Sequence, residues 1–169
     1  MIHRIHADLG ITPALLEGRA LLQYEEAQGL VPAEKAPNGR VHFLLSEAAA
    51  AWRAMKEAAQ SDGVDIHILS GFRSIARQGE LIQARLDGGM AIEDVLKILA
   101  PPGYSEHHTG RAVDVSTEGI KVLQPEFEST PAFTWLSGHA GKFGFMLSFP
   151  RAKSAGYGYE PWHWCYRGR

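Results

Sequence analysis

The stretch SEHHTGRAVD, Ser105 to Asp114, sets two adjacent histidines before a glycine and ends on an aspartate inside an apolar run. A catalytic zinc takes three protein ligands and keeps one position for water. His107 and Asp114 are too far apart in sequence to be neighbours on a helix face. Gly110 permits a turn, so His107 can sit on a loop and Asp114 on the strand that follows, both facing one ion. An aspartate between Val113 and Val115 is costly to bury unless a cation offsets its desolvation. The pair alone also fits a plainer reading, in which Asp114 accepts backbone hydrogen bonds and His107 lies on a surface loop.

A second group lies near the chain end, in Tyr159-Glu160-Pro161-Trp162-His163-Trp164. With His163 as third ligand, Glu160 is close by without having to bind metal. That suits a general base that takes a proton from a metal-activated water. Residues three apart in a regular strand point to opposite faces, so Glu160 reaches the site only if Pro161 interrupts the strand. By itself the segment equally suits an aromatic core edge with a hydrogen-bonded histidine.

These residues need a scaffold. A chain of 169 residues fits one domain and can bury about 70% of its unfolded surface. The 45% apolar and 21% charged composition is that of a soluble globular protein. A formal net charge of −2 gives no electrostatic reason to expect nucleic acid or an anionic membrane as partner, and there is no apolar span of membrane length. Cys165 is the only cysteine, which excludes a disulfide framework and a thiolate-rich zinc site; eight histidines leave imidazole and carboxylate as ligands. The N-terminus lacks the pattern of a secretory signal, which as written predicts a cytoplasmic protein; for a chain trimmed of its leader the expectation becomes periplasmic or extracellular.

Thr12-Pro13 reads as a helix start, with the helix running to about Gly29; residues 31–40 read as a loop or turn. Strands are expected at Val41 to Leu45, Val64 to Leu69, Arg111 to Ser116, Phe143 to Phe149 and Trp162 to Tyr166. Helices are expected from a cap at Ser46 to about Gln60, and over Ile75 to Leu86, Ile92 to Leu99 and Thr134 to Lys142. This order predicts an α+β domain in which helices pack on a small, mostly antiparallel sheet, with residues 1–40 as an N-terminal helix and loop and residues 41–169 as the core.

Taken together, SEHHTGRAVD fits a Ser-x-His-x-x-Gly-x-Ala-x-Asp signature, EPWHW fits Glu-x-x-His, and SGFRS followed by Gln78 fits the segment that precedes them. In these motifs, and in WLSGHAGKFGFMLSFP, the chain resembles the zinc D-alanyl-D-alanine carboxypeptidases and dipeptidases of the vancomycin-resistance type, which share the hedgehog/DD-peptidase fold. The likeness runs from about Ser70 to Arg167. It implies one catalytic zinc held by His107, Asp114 and His163, with Glu160 as base and Arg73 stabilising the oxyanion. Ser105 and Gln78 would contact substrate, a peptidoglycan-derived peptide cleaved beside D-alanine.

The sequence also departs from the pattern. Cys165 stands where the family often carries arginine, which puts in doubt how a substrate carboxylate would be held; as a free cysteine it reads as a small buried hydrophobe. His108 is expected at the solvent or substrate rim, because a fourth protein ligand would close the water position. Trp162 and Trp164 suit either a substrate groove or the core. A non-catalytic hedgehog-like zinc domain that binds cell-wall peptides, or an endopeptidase of the phage-lysin type, would carry related motifs. A purely structural zinc site would need neither Glu160 nor Arg73.

Overall fold

A computed structural model describes residues 2–19, 21–120, 123–151 and 158–168. Helix α1 (Ile2–Asp8) and the single turn α2 (Pro13–Leu16) precede a hairpin of β1 (Leu30–Lys35) and β2 (Val41–Leu45). The long α3 (Ser46–Ser61) leads to β3 (His67–Ser70), then α4 (Ile75–Asp87) and α5 (Ile92–Ile98). β4 (Ala112–Ser116), α6 (Pro131–His139), β5 (Phe145–Leu147) and β6 (His163–Tyr166) complete the chain. The main sheet has the order β3-β4-β6-β5 and is antiparallel throughout, giving the expected α+β architecture. Among the described residues no helix is long and apolar enough to cross a membrane.

The two faces of the central strand do different work. Val113 and Val115 point into the main core, where Trp52 and Met55 of α3, Ile66, Ile68, Leu136 of α6 and Trp164 meet. Ala112, Asp114 and Ser116 face the other way, and they too are buried. A second apolar cluster joins Leu9 and Ile11 to Ile82 of α4 and Val95 and Leu96 of α5. So α3 covers the sheet, while α1 packs on α4.

Three local expectations need correction. Residues 31–40 are only half loop: β1 occupies them up to Lys35, and the turn through Asn38-Gly39 takes the rest. The signal was masked by Pro32, whose missing N–H is accommodated where the register slips between Pro32 and Glu34. Glu34 then locks the hairpin to the sheet, accepting hydrogen bonds from Trp52 Nε1 (2.8 Å) and the Ile68 N–H (3.2 Å) and pairing with Lys56. Secondly, the helix begun at Pro13 stops at Leu16, and the chain to Gly29 is irregular because its polar groups are committed elsewhere. Glu26 accepts from the Ile75 N–H at the start of α4 (2.6 Å), and the Ala27 N–H donates to the His108 carbonyl (2.8 Å). Thirdly, Ser46 is the first residue of α3 rather than its cap, and Leu45 precedes the helix without a side-chain cap.

Gly110 closes the 3₁₀ turn Glu106–Thr109 with φ of 64°, a left-handed conformation that favours glycine. A Cβ there would lie 2.8 Å from Leu30 Cδ2 and 3.2 Å from the Leu45 nitrogen. Gly110→Ala is therefore expected to cost about 1–3 kcal/mol, read as a lower denaturant midpoint at unchanged m-value.

Candidate active site

β4 and β6 pair so that Asp114 sits directly across from His163, which puts the two side chains on one face of the sheet. His107 comes from the 3₁₀ turn, where the Ser105 hydroxyl accepts its backbone N–H (3.4 Å). One ligand atom from each of the three lies within 4.8 Å of the others, and all three residues are buried. His107 Nε2 is 3.1 Å from Asp114 Oδ2, and His163 Nδ1 is 3.0 Å from Asp114 Oδ1.

The donor set fits a divalent metal. His107 Nδ1 lies 2.8 Å from the Gly71 carbonyl, so that nitrogen carries the ring proton. Burial lowers the His107 pKa and keeps the ring neutral, so its Nε2 lone pair confronts an Asp114 oxygen with no proton to share. Two acceptors facing each other in a buried site are reconciled by a cation between them. Two imidazoles and a carboxylate are the ligand types that zinc accepts.

His163 holds a second clue. Burial alone would depress its pKa, but hydrogen bonds with Asp114 and Glu106 overrule it and raise the value to about 10. The metal-free ring is thus an imidazolium bridging two carboxylates, with a proton on the Nδ1 lone pair that a metal would use.

Glu160 reaches the site as the sequence required. The His163 N–H donates to the Glu160 carbonyl (3.1 Å), forming a turn with Pro161 and Trp162 at its centre, and β6 begins only at His163. Glu160 Oε2 stops 3.8 Å from His163 Nδ1, and burial raises its pKa to about 7. Across the cleft Arg73, half-buried and with its pKa lowered by desolvation, donates to Ser70 Oγ and Gln78 Oε1 (both 2.9 Å) and stands 3.8 Å from Asp114. Gln78 is buried on α4 and donates to the Ala100 carbonyl (2.7 Å), so both ends of its amide are engaged. A cleft of about 400 Å³ is lined by His107, Asp114, His163, Glu160, Arg73 and Gln78, with Ser105 beside them.

Glu106 is the functional residue that spacing did not reveal. Its Oε2 lies 3.1 Å from His163 Nε2 and accepts from Ser148 Oγ (2.6 Å), while Oε1 pairs with Arg167. Burial opposes ionisation, yet these partners hold its pKa down to about 2. It is the outer-shell carboxylate that fixes the orientation of His163. Its one local sign was an acidic side chain directly before His107; Ser148 and Arg167 arrive from distant segments.

His108 corrects another expectation. It is fully buried rather than at a rim, its Nδ1–H donating to the Arg73 carbonyl (2.7 Å) and its Nε2 accepting from the Gly103 N–H (3.1 Å). It splints the loop that carries Arg73. Cys165 is the buried thiol expected, pushed up to about 12 by burial; the nearby guanidinium is Arg167, on Glu106. Trp162 lines the cleft, whereas Trp164 packs in the core.

Residues 41–169 match the family profile of VanY, D-alanyl-D-alanine carboxypeptidase. The chain belongs to this family. It is 35% identical to YodJ of Bacillus subtilis (strain 168) over 132 residues, which is 75% of this chain and 47% of YodJ. The LdcB LD-carboxypeptidase superposes with a TM-score of 0.72 at 32% identity, over 85% of this chain and 70% of that one. A mutant of the vancomycin-resistance D,D-pentapeptidase VanY, solved in complex with Zn(II), superposes with a TM-score of 0.63 at 28% identity, over 85% and 86% of the two chains. The present VanY-family chain spans about half or less of the length of the first curated relatives it matches.

Two outcomes follow for the metal. Glu106→Gln is expected to weaken zinc binding about 10–100-fold in chelator competition. Binding should also release about one proton near pH 7.5, read by calorimetry in buffers of different ionisation enthalpy, because His163 must give up Nδ1–H. Affinity then rises with pH up to about 10. In the metal-free protein the same protonated bridge contributes stability that is complete below about pH 6.5 and is lost as pH rises through about 10.

Proposed function

We propose that this chain is a zinc-dependent carboxypeptidase or dipeptidase that hydrolyses a peptide bond adjacent to D-alanine in peptidoglycan stem peptides or their fragments. One observation carries the reading: a half-buried carboxylate, Glu160, with no side-chain partner closer than 3.8 Å, shares a cleft with His107, Asp114, His163 and the Arg73 guanidinium. A site that only held metal for stability would have no use for a desolvated acid poised near neutrality beside its ligands.

His107 Nε2, Asp114 and His163 Nδ1 would hold one zinc ion. When bound, zinc supplies Lewis-acid polarisation of the scissile carbonyl and a lowered pKa for the attacking water. Glu160 takes the proton from that water and returns it to the leaving amine, a cycle suited to a pKa of about 7. Arg73 offers a charged donor to the developing oxyanion, and its aim is preset by Ser70 and Gln78, so little reorganisation accompanies the reaction. Ser105 lines the cleft and is assigned to substrate binding; Gln78 contributes by lining the same wall and by holding Arg73.

The reading is tested with zinc-loaded protein and a panel of stem peptides with D,D and L,D termini, the products read by mass spectrometry. Cleavage beside D-alanine is expected in at least one peptide. Glu160→Gln should keep its metal and lose nearly all hydrolysis, while His163→Ala should lose the metal. Hydrolysis by Glu160→Gln at the parent's rate would refute the role of Glu160; intact peptides throughout, with metal bound, would make the chain a binding module instead.

A further inference from the structure

The cleft does not end at the metal ligands. It continues along the seam between α4 and α5, where Arg85 and Lys97 line its far part. Gln78 and Arg85 are two helical turns apart on α4, hence on one face, with a separation of about 10 Å along the axis at 1.5 Å per residue. The facing wall runs from Lys97 through Ile98 and Leu99 to Ala100, which Gln78 ties to α4. This arm is therefore apolar along its wall and cationic at its end.

The two cations are not equivalent. Lys97 already shares its charge with Asp94 (2.7 Å) and Glu93. Nearby acids on α4 are also occupied: Glu80 pairs with Arg77, and Asp87 accepts from Gln83. The exposed Arg85 guanidinium has no hydrogen-bond or ion-pair partner among the described residues; only its backbone carbonyl is engaged, by the Met90 N–H. An uncompensated guanidinium at the end of an apolar groove is built to receive a carboxylate.

We infer that Arg85, assisted by Lys97, recognises a free carboxylate on the retained side of the peptide substrate, about three residues from the scissile bond. The inference rests on the carboxypeptidase reading and sharpens its substrate class. A single leaving residue spans only about 3.5 Å, so an anion bound about 10 Å beyond Gln78 along α4 belongs to the acyl portion. Three extended residues cover that distance at about 3.3 Å each.

The test uses two synthetic pentapeptides ending in D-Ala-D-Ala. They differ only in whether the third residue before the scissile bond carries a free or an amidated side carboxylate. Binding to zinc-loaded Glu160→Gln protein is measured by calorimetry, and hydrolysis by the parent is followed separately. The free acid is expected to bind about fivefold tighter at low salt, a margin within reach of one partly exposed charge pair, and less so at high salt. Arg85→Gln should level the two affinities and Arg85→Glu should reverse their order. Equal affinities in the parent background, no affinity for either peptide, or a preference that survives Arg85→Glu would overturn the inference. A preference in binding without any hydrolysis by the parent would leave the subsite standing and refute the hydrolase reading alone. Hydrolysis with equal affinities would do the reverse.

Discussion

A single buried carboxylate governs this structure. Asp114 sits in the central strand with one oxygen toward His107 and the other toward His163, and Arg73 stands just beyond. Leaving such a charge uncompensated would cost several kcal/mol. The elements that end at the site supply its immediate partners. The pairing of β4 with β6 brings His163, the Gly110 turn brings His107, and the end of β3 brings Arg73. The apolar face of β4, through Val113 and Val115, holds the strand in place while its polar face carries the chemistry.

Charge then alternates outward from Asp114. His163 lies between Asp114 and Glu106, and Glu106 lies between His163 and Arg167. Glu106 is flanked by donors, Asp114 has His163 on one oxygen and the His107 lone pair on the other, and each imidazole is anchored on the side away from Asp114: His107 by the Gly71 carbonyl, His163 by Glu106. Ring orientation is thereby set before any ligand arrives, which is what preorganisation requires. Glu160 stands apart from this chain of pairs. It is desolvated without a close partner, and so it keeps a proton affinity near neutrality while Asp114 and Glu106 stay ionised.

The residues that meet in the cleft were legible because their types and order are those of a metal-peptidase motif. His107, Asp114, His163, Glu160 and Arg73 could be picked out along the chain, and the proline at 161 gave the physical means to turn Glu160 toward the site. Antiparallel strands with alternating apolar residues were readable for the same reason. What stayed hidden depends on partners far away in sequence. Glu106 acquires its role only when Ser148 and Arg167 fold beside it. His108 looked like a rim residue until the Arg73 carbonyl and the Gly103 N–H enclosed it. The irregular run before Gly29 had helical composition but spends its polar groups on other segments, so local propensity lost to tertiary contacts.

That irregular run gives the chain a different natural boundary from the one drawn by family likeness. Tyr24 donates its N–H to the Gly103 carbonyl, and its hydroxyl borders Glu106; Glu26 caps α4, and Ala27 bonds the carbonyl of His108. All of these lie ahead of residue 41, where the family match begins. The segment ahead of the profile match is thus laced into the loop that carries His107. Local opening of one must loosen the other, so the two belong to one cooperative unit. Mechanically, this run is a buttress of the loop that carries His107.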